Sequence, residues 1–219
     1  MSRAIRFSIS AALSFFLILG YCHYARAADY IVDPSRSELA VRLFKAGIAS
    51  GFAHDHVIRA TEYSGEASID PEKPSGSAIS VEVKADSLKA DEPAMREKYG
   101  LTKKVTDKDR AKIQATMESP EQMDIEKYPA MKFHSTSIEK QSDGQYMITG
   151  DLTIHGVTQP VSFPSTVSQE NGGFRGKASL RFKQSDFGIR PYGFLFGAVR
   201  NQDEAVLYLD ILVRPAAIP

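Results

Sequence analysis

Alternation of apolar and polar residues dominates the chain and predicts β-strands. From Tyr146 to Ile154, apolar side chains and Gly150 recur at every second position, while two threonines and an aspartate share the opposite face. A period of two indicates a strand with one face in a core and the other in water. The pattern predicts about eight strands, namely Glu38–Phe44, Val57–Ile69, Ala78–Lys84, Met131–Lys140, Tyr146–Ile154, Val161–Ser168, Phe174–Phe182 and Glu204–Val213.

Turn-forming residues separate these segments and predict hairpins. Asp143-Gly144 and Asn171-Gly172-Gly173 favour tight turns, and Gly156 to Pro160 separates two further strands. Neighbouring strands are therefore expected to be antiparallel. One stretch breaks the pattern, because Pro93–Gly100 and Thr106–Met117 carry helix-forming residues with capping residues at their ends. We expect a short helical insertion there.

These elements predict an all-β fold. Antiparallel strands with short turns suit a sandwich or a closed up-and-down barrel. An eight-stranded barrel has an interior that is filled by side chains or holds one small ligand, as in lipocalins. The 12 Phe and 6 Met of the chain are compatible with both interiors. No repeat, low-complexity tract or linker divides residues 28–219, which are expected to form one domain.

Residues 1–27 have the pattern of a secretory signal peptide. Two arginines precede the apolar residues 7–21, and Ala25-Arg26-Ala27 suits a cleavage site. The apolar stretch is shorter than the roughly 20 residues of a membrane-spanning helix. We therefore expect cleavage after Ala27 and a periplasmic protein. An uncleaved anchor and lipidation of Cys22 are the alternatives, although Tyr21 is bulky where lipoprotein acceptor sites need a small residue.

Charge and cysteine content exclude several classes of protein. Lys+Arg and Asp+Glu are equal at 27 each, and removal of the leader leaves 24 basic against 27 acidic side chains. A nucleic-acid-binding protein carries a concentrated basic surface, so nucleic acid is not an expected partner. Cys22 is the single cysteine, and it belongs to the leader. The mature chain therefore has no thiol for catalysis, for an iron–sulfur cluster or for a disulfide.

The segment from Gly150 to Val161 (GDLTIHGVTQPV) resembles the signature of the YceI-like, polyisoprenoid-binding family. The segments Tyr128–Thr136, Ser185–Ile189, Tyr30–Pro34 and Tyr63–Gly65 resemble further parts of that family in the same order, as do Ile69-Asp70-Pro71 and Ser87-Leu88. The resemblance covers essentially the whole mature chain.

The resemblance implies an exported, extended lipocalin-like barrel of eight antiparallel strands with a helix beside it. Its tunnel would hold a long isoprenoid, such as a polyprenyl chain or the tail of an isoprenoid quinone. Such a protein requires no cofactor beyond this non-covalent ligand, and transient contact with inner-membrane proteins is a possible further interaction. The sequence leaves the oligomeric state open, with a homodimer among the options.

Burial of a hydrocarbon tail is sufficient to hold such a ligand. At about 0.8 kcal/mol per buried CH₂-sized unit, a tail of about forty carbons has a gross transfer energy near 30 kcal/mol. This exceeds the practical ceiling of about 18–21 kcal/mol for non-covalent binding, so the cost of ordering the tail can be met. Phe and Met are suited to such a wall, and the candidate ligand-binding residues are Phe44, Met117, Met123, Phe133, Phe163, Phe182 and Phe187.

Histidines provide an alternative chemistry. In an extended segment, His54 and His56 point to the same side and are the candidate metal ligands of a His-dependent periplasmic metal-binding protein. His134, His155, Asp55 and nearby carboxylates are available as further ligands. A pair of hydrogen-bonding histidines is the alternative for the first two, and a turn-stabilising hydrogen bond is the alternative for His155. His134 is expected on the strand face opposite Phe133.

The chain lacks the sequence signatures of an enzyme. It has no Gly-x-Ser-x-Gly elbow, no His-Glu-x-x-His, no phosphate-binding loop and no dinucleotide fingerprint. We therefore expect a binding protein without catalytic residues. A stress or interaction protein with a filled core is the third class that the sequence leaves open.

Overall fold

A computed structural model describes residues 28–216. The predicted signal peptide, residues 1–27, lies outside the described residues. Within them the chain forms twelve strands and two short α-helices. The helices are α1 (Pro93–Lys98) and α2 (Asp107–Glu118). The strands are β1 (Ala28–Val32), β2 (Glu38–Ala46), β3 (His56–Ala60), β4 (Tyr63–Ile69), β5 (Ala78–Lys84), β6 (Leu88–Ala90), β7 (Ala130–Ser142), β8 (Gln145–Ile154), β9 (Val157–Glu170), β10 (Gly173–Lys183), β11 (Gly193–Phe194) and β12 (Val199–Pro215).

The strands close into an antiparallel barrel with eight strands in its wall, which confirms the predicted fold class. Pairing runs in the order β1, β4, β5, β7, β8, β9, β10 and β12, and β12 pairs back with β1 from Tyr30↔Pro215 to Val32↔Val213. On the same side of β12, β2 continues the line of β1, β3 continues that of β4, and β6 continues that of β5. Of these three strands, β2 pairs with β12, β3 pairs with β2, and β6 pairs with β3. Three wall strands are thus each broken in two, which leaves few unpaired edges.

The predicted single strand Val57–Ile69 is wrong at its centre, where β3 ends and β4 begins. Thr61 donates from its backbone N, at 3.2 Å, and from Oγ1, at 2.8 Å, to the carbonyl oxygen of Ser87. Ser87 Oγ in turn donates to the carbonyl oxygen of Glu62 at 3.2 Å. These bonds bend the chain and satisfy its backbone groups in place of a strand ladder. In the sequence, a polar residue at a bend cannot be distinguished from a polar residue on the water-facing side of a continuous strand.

Two-residue turns connect several wall strands. Asp143-Gly144 and Asn171-Gly172 form turns as predicted, with Ser142 opposite Gln145 and Glu170 opposite Gly173. The predicted separator from Gly156 to Pro160 is too long. His155 and Gly156 alone make that turn, with φ of 52° and 74°, and β9 already begins at Val157. A Cβ on Gly156 would lie 2.5 Å from the Tyr128 ring, so only glycine fits.

The helical insertion lies beside the barrel and covers the edge of β6. The Thr106 side chain caps α2 by accepting from the Asp109 N–H, as the sequence predicts. Gln114 of α2 accepts from Ala90 N at 2.9 Å and donates to Leu88 O at 2.7 Å. The Gln114 amide therefore replaces a neighbouring strand at this edge.

The longer connections gather at one end of the barrel. Because the wall strands alternate in direction, the β2–β3 connection, the helical insertion, the His155-Gly156 turn and the β10–β12 connection share this end. We call it the loop end. The tight turns at 143–144 and 171–172 and the loop 70–77 lie at the opposite end.

Candidate ligand-binding site

Inward-facing side chains of the barrel wall surround an apolar cavity of about 220 Å³. Its lining is almost entirely hydrocarbon. The Lys132 ammonium is turned away to pair with Glu82 at 3.2 Å, and Ser165 Oγ donates to the carbonyl oxygen of Lys177. The lining residues are Leu39, Val41, Ile58, Ala60, Ala67, Ile69, Ile79, Val81, Val83, Leu88, Met131, Lys132, Phe133, Ile148, Leu152, Ile154, Phe163, Ser165, Val167, Phe174, Gly176, Ala178, Leu180, Phe182, Leu207, Leu209, Ile211 and Val213.

The size of the cavity limits what it holds without rearrangement. An engineered cavity of about 150 Å³ binds benzene, so 220 Å³ corresponds by proportion to about nine carbons. Typical ligand pockets measure about 300–1,000 Å³. A long hydrocarbon chain therefore needs wall side chains to change rotamer or a part of the chain to remain outside.

Three of the predicted ligand-binding residues line this cavity. Phe133 of β7 and Phe163 of β9 meet with ring centroids 5.7 Å apart, and the rings of Phe182 of β10 and Phe187 meet edge to face with centroids 5.6 Å apart. All three lie at inward positions of their strands. The alternation of inward and outward side chains along each strand therefore predicts that they face the interior.

The other four predicted residues are not among the lining residues. Phe187 is buried at 1% exposure beneath Phe182, and Met117 of α2 packs against the core beside β6. Met123 is half-buried between the same two core regions. Phe44 lies on the face of β2 opposite Val41, with the Arg42 guanidinium 5.0 Å from its ring. Contact of these four side chains with a ligand stays a prediction.

Aliphatic side chains supply most of the wall and were not predicted as binding residues. They include Leu207, Leu209, Ile211 and Val213 of β12 and three residues of β5. The alternation within Ala78–Lys84 and Glu204–Val213 marks them as inward-facing. Adaptable Phe and Met side chains suit such a wall, but in this barrel aliphatic side chains at inward positions form most of it.

A buried polar network lies at the loop end beside α1. The Asp91 carboxylate is 1% exposed and accepts from Arg96 Nη1 at 2.6 Å and from Val57 N at 3.2 Å. His56 Nδ1 lies 2.6 Å from its other oxygen. Burial opposes ionisation, but the hydrogen bond and charge of His56 and the hydrogen bond of Arg96 hold the pKa of Asp91 below its usual range. Asp91 is therefore a buried anion that joins β3 to α1.

His54 lies beside this network without a bond to it. The His54 and His56 rings are 5.3 Å apart, and His54 Nδ1 is buried with no hydrogen-bond partner in the described part of the chain. Across residues 28–216, no three His, Cys, Asp or Glu side chains come together as a metal site. His56 is hydrogen-bonded to Asp91, as the alternative to metal binding expects. The Nδ1 atom of His54 makes no such bond within residues 28–216.

Stability is expected to rise with pH through the titration of His54. Burial, with the nearby charge of His56, lowers the pKa of the folded His54 side chain. Below about pH 6.5, the ordinary histidine pKa that His54 has in the unfolded chain, the unfolded chain binds a proton more readily than the folded chain does. The free energy of unfolding therefore falls as the pH drops. Urea midpoints measured across this range should show the slope, and His54→Gln should flatten it. An identical slope in the variant would contradict the assignment to His54.

The remaining two histidines lie apart from this network. His134 is exposed on the outer face of β7, opposite to Phe133 as expected, with Nδ1 2.8 Å from Ser80 Oγ. His155 packs against Tyr128 with ring centroids 4.3 Å apart, and its Nε2 is buried without a hydrogen-bond partner among residues 28–216. The His155 ring therefore contacts Tyr128 beside the turn, and the expected hydrogen bond is not present at this nitrogen.

Helices of membrane-spanning length and apolarity do not occur between residues 28 and 216.

A closed, up-and-down antiparallel barrel with a hydrocarbon-lined interior defines a lipocalin-like barrel. Within that class, the chain belongs to the YceI-like family, whose YceI-like domain model matches residues 30–211. The match covers nearly all of the described chain and confirms the resemblance found in the sequence.

Relatives and solved structures agree with this membership. A UPF0312 protein of Pseudomonas putida is 32% identical over 189 residues, which cover 84% of this chain and 88% of the relative. Another, from Shewanella denitrificans, is 29% identical over 75% of this chain and 78% of its own.

Among solved structures, Burkholderia cenocepacia BcnA has a TM-score of 0.62 at 18% identity, covering 83% of this chain and 98% of its own. A polyisoprenoid binding domain from Saccharophagus degradans has a TM-score of 0.57 at 10% identity, covering 87% and 100%. These two likenesses concern the fold.

Proposed function

We propose that this protein binds and carries an isoprenoid lipid or an isoprenoid quinone in the periplasm. The observation that carries the proposal is the hydrocarbon-lined cavity inside a closed barrel. Binding in this proposal is reversible and non-covalent, since the two polar side chains of the lining, Lys132 and Ser165, are engaged with Glu82 and with the carbonyl oxygen of Lys177. The polyisoprenoid binding domain of Saccharophagus degradans, which shares this fold, supports the choice of ligand class.

The size of the cavity sets a scale for affinity. About nine carbons at about 0.8 kcal/mol each amount to a gross transfer energy near 7 kcal/mol. A micromolar dissociation constant corresponds to about 8 kcal/mol, so the cavity at its present size supports weak binding only. Tight binding of a longer tail requires further burial. Rotation of Phe133, Phe163 and Phe182, which line the cavity, is the simplest way to provide it.

Extraction of the purified protein with organic solvent, followed by mass spectrometry, tests the proposed ligand. We expect an isoprenoid in substantial molar proportion to the protein, since rotation of the three phenylalanines lets the hydrocarbon interior bury enough of a long tail to retain it through purification. The mass and the absorbance of the extract distinguish a polyprenyl head group from a quinone. The isoprenoid assignment would be wrong if gently purified protein contained no lipid or only straight-chain fatty acids.

Export is expected to remove residues 1–27. The intact mass of protein recovered from the periplasm should correspond to a chain that begins at Ala28, because Ala25 and Ala27 occupy the small-residue positions of a cleavage site. Ala27→Arg should block processing and retain the precursor with the membrane fraction. A mature protein that keeps its leader, or that carries lipid on Cys22, would contradict the proposed cleavage.

A further inference from the structure

Exposed apolar side chains cluster at the loop end, outside the cavity. Phe196 and Ile48 are essentially fully exposed, at 112% and 99%, and Phe194 and Leu195 are 57% exposed. Together with Tyr192, these side chains form what we call the apolar tip. Single exposed apolar residues are common, whereas a local cluster indicates an interaction surface.

The backbone holds the two loops of the apolar tip together. Ala49 N in the β2–β3 connection donates to the carbonyl oxygen of Ala198 at 2.9 Å. A Cβ on Gly47 would lie 2.4 Å from that same oxygen, so the loops approach as closely as glycine allows. Asn201 N also donates to Tyr192 O at 2.9 Å. The apolar side chains are therefore presented on a connected framework.

The hairpin of the tip adopts a backbone conformation that its residues disfavour. Leu195 and Phe196 have φ of 51° and 53°, and Gly197 N donates to Phe194 O at 3.1 Å to close the turn. Positive φ at both central residues strongly favours Asn-Gly, and bulky side chains rarely adopt it. Strain of this kind is concentrated at functional sites. Here it accompanies two apolar side chains that have no role in the core.

Exposed cations surround the apolar tip. Lys45, Arg190 and Arg200 are exposed in or beside its loops, and Lys103 Nζ donates to the carbonyl oxygens of Gly51 at 3.3 Å and Ala53 at 3.0 Å. Of the nearby acidic residues, Asp55 accepts from Lys45 N and pairs with Arg42 at 3.7 Å, and Asp203 accepts from Ser185 N and Oγ. Asp186 is exposed at the start of the β10–β12 connection. The tip therefore combines apolar side chains with a positive local charge on a chain that is acidic after loss of its leader.

We propose that the apolar tip docks on the surface of an anionic lipid bilayer. Aromatic side chains and leucine enter the boundary between head groups and acyl chains, while arginine and lysine meet lipid phosphates. A symmetric contact between two copies of this chain would place the same cations against each other, so the charge favours the bilayer. The inner residues of β2 and β12 line the cavity, so docking brings the barrel to the medium where apolar lipids reside.

Co-sedimentation with vesicles tests this surface independently of any lipid in the cavity. Vesicles of phosphatidylcholine with phosphatidylglycerol should bind the mature protein, and vesicles of phosphatidylcholine alone should bind it more weakly. The double variant Leu195→Asn with Phe196→Gly should lower binding at least about tenfold, because two apolar side chains no longer enter the interface. Its melting temperature should not fall, because Asn-Gly suits the turn.

A charge-matched pair of variants separates local from overall electrostatics. Arg190→Gln with Arg200→Gln should weaken binding to the anionic vesicles about tenfold. Lys73→Gln with Lys140→Gln removes the same charge at the opposite end of the barrel and should leave binding unchanged.

Absence of binding to the anionic vesicles, or equal binding by the wild type and the apolar-tip variant, would overturn the proposal. A dimer that dissociates in the apolar-tip variant would assign the surface to a second copy instead. Because lipid content is measured separately, either result leaves the proposed carrier function to its own test.

Discussion

Replacing Gly176 with phenylalanine is expected to remove most of the bound lipid while leaving the barrel folded. Gly176 lines the cavity, and a Cβ there would meet only Ser165 Oγ at 3.7 Å, an ordinary contact. An engineered cavity of about 150 Å³ takes a benzene ring, so the phenyl group fills about two thirds of the 220 Å³ cavity. The ligand then loses about six carbons of burial, near 5 kcal/mol, and lipid content should fall at least tenfold.

Ser179→Phe is the matched control for this variant. Ser179 is exposed on the outer face of the same strand, so a phenyl group there leaves the cavity unchanged. The melting temperature of Gly176→Phe should not fall, because glycine within a strand is itself unfavourable. Unchanged lipid content in Gly176→Phe would place the ligand outside the barrel and would contradict the proposed function.

Replacing Asp91 with alanine is expected to lower the free energy of unfolding by about 3–5 kcal/mol, because it leaves a buried cation unpaired. Arg96 is only 6% exposed, and Asp91 is its carboxylate partner. His56 loses its bond at the same time. Urea unfolding near neutral pH measures the change. A loss below about 1 kcal/mol would show that water or rearrangement compensates the charge.

Asp124→Ala is the backbone control for this prediction. Asp124 also has a positive φ, 42° against 53° at Asp91, so alanine meets similar backbone strain without loss of a buried ion pair. Because the pKa of the folded Asp91 is depressed, its contribution is complete above the unfolded value of about 3.9. It is lost as the pH falls through the folded value. The difference between wild type and Asp91→Ala should therefore shrink in acid.

Local patterns predicted most of the secondary structure. Alternation in Tyr146–Ile154 and in Phe174–Phe182 predicts β8 and β10, and the turn at Asn171-Gly172 forms between β9 and β10. Thr106 caps α2 as expected. These features depend on residues that are adjacent or a few positions apart, so the sequence contains the whole signal.

The candidate site was only partly predictable. Phe133, Phe163 and Phe182 line the cavity because strand alternation directs them inward. Met117, Met123 and Phe187 lie outside the strands, where no period of two fixes their direction. Residue type alone did not separate them from the cavity wall, because Phe and Met suit a packed core equally well.

Patterns among neighbouring residues were enough to specify the strand-forming segments and the tight turns, and sequence motifs identified the YceI-like family. Closure through β1 and β12, the bend between β3 and β4, and the bond between His56 and Asp91 follow only from the folded chain, because each joins residues distant in sequence. The open interior was decided there too. The cavity is the volume inside the barrel that remains after inward side chains from many strands have packed. No local sequence pattern determines that remaining volume.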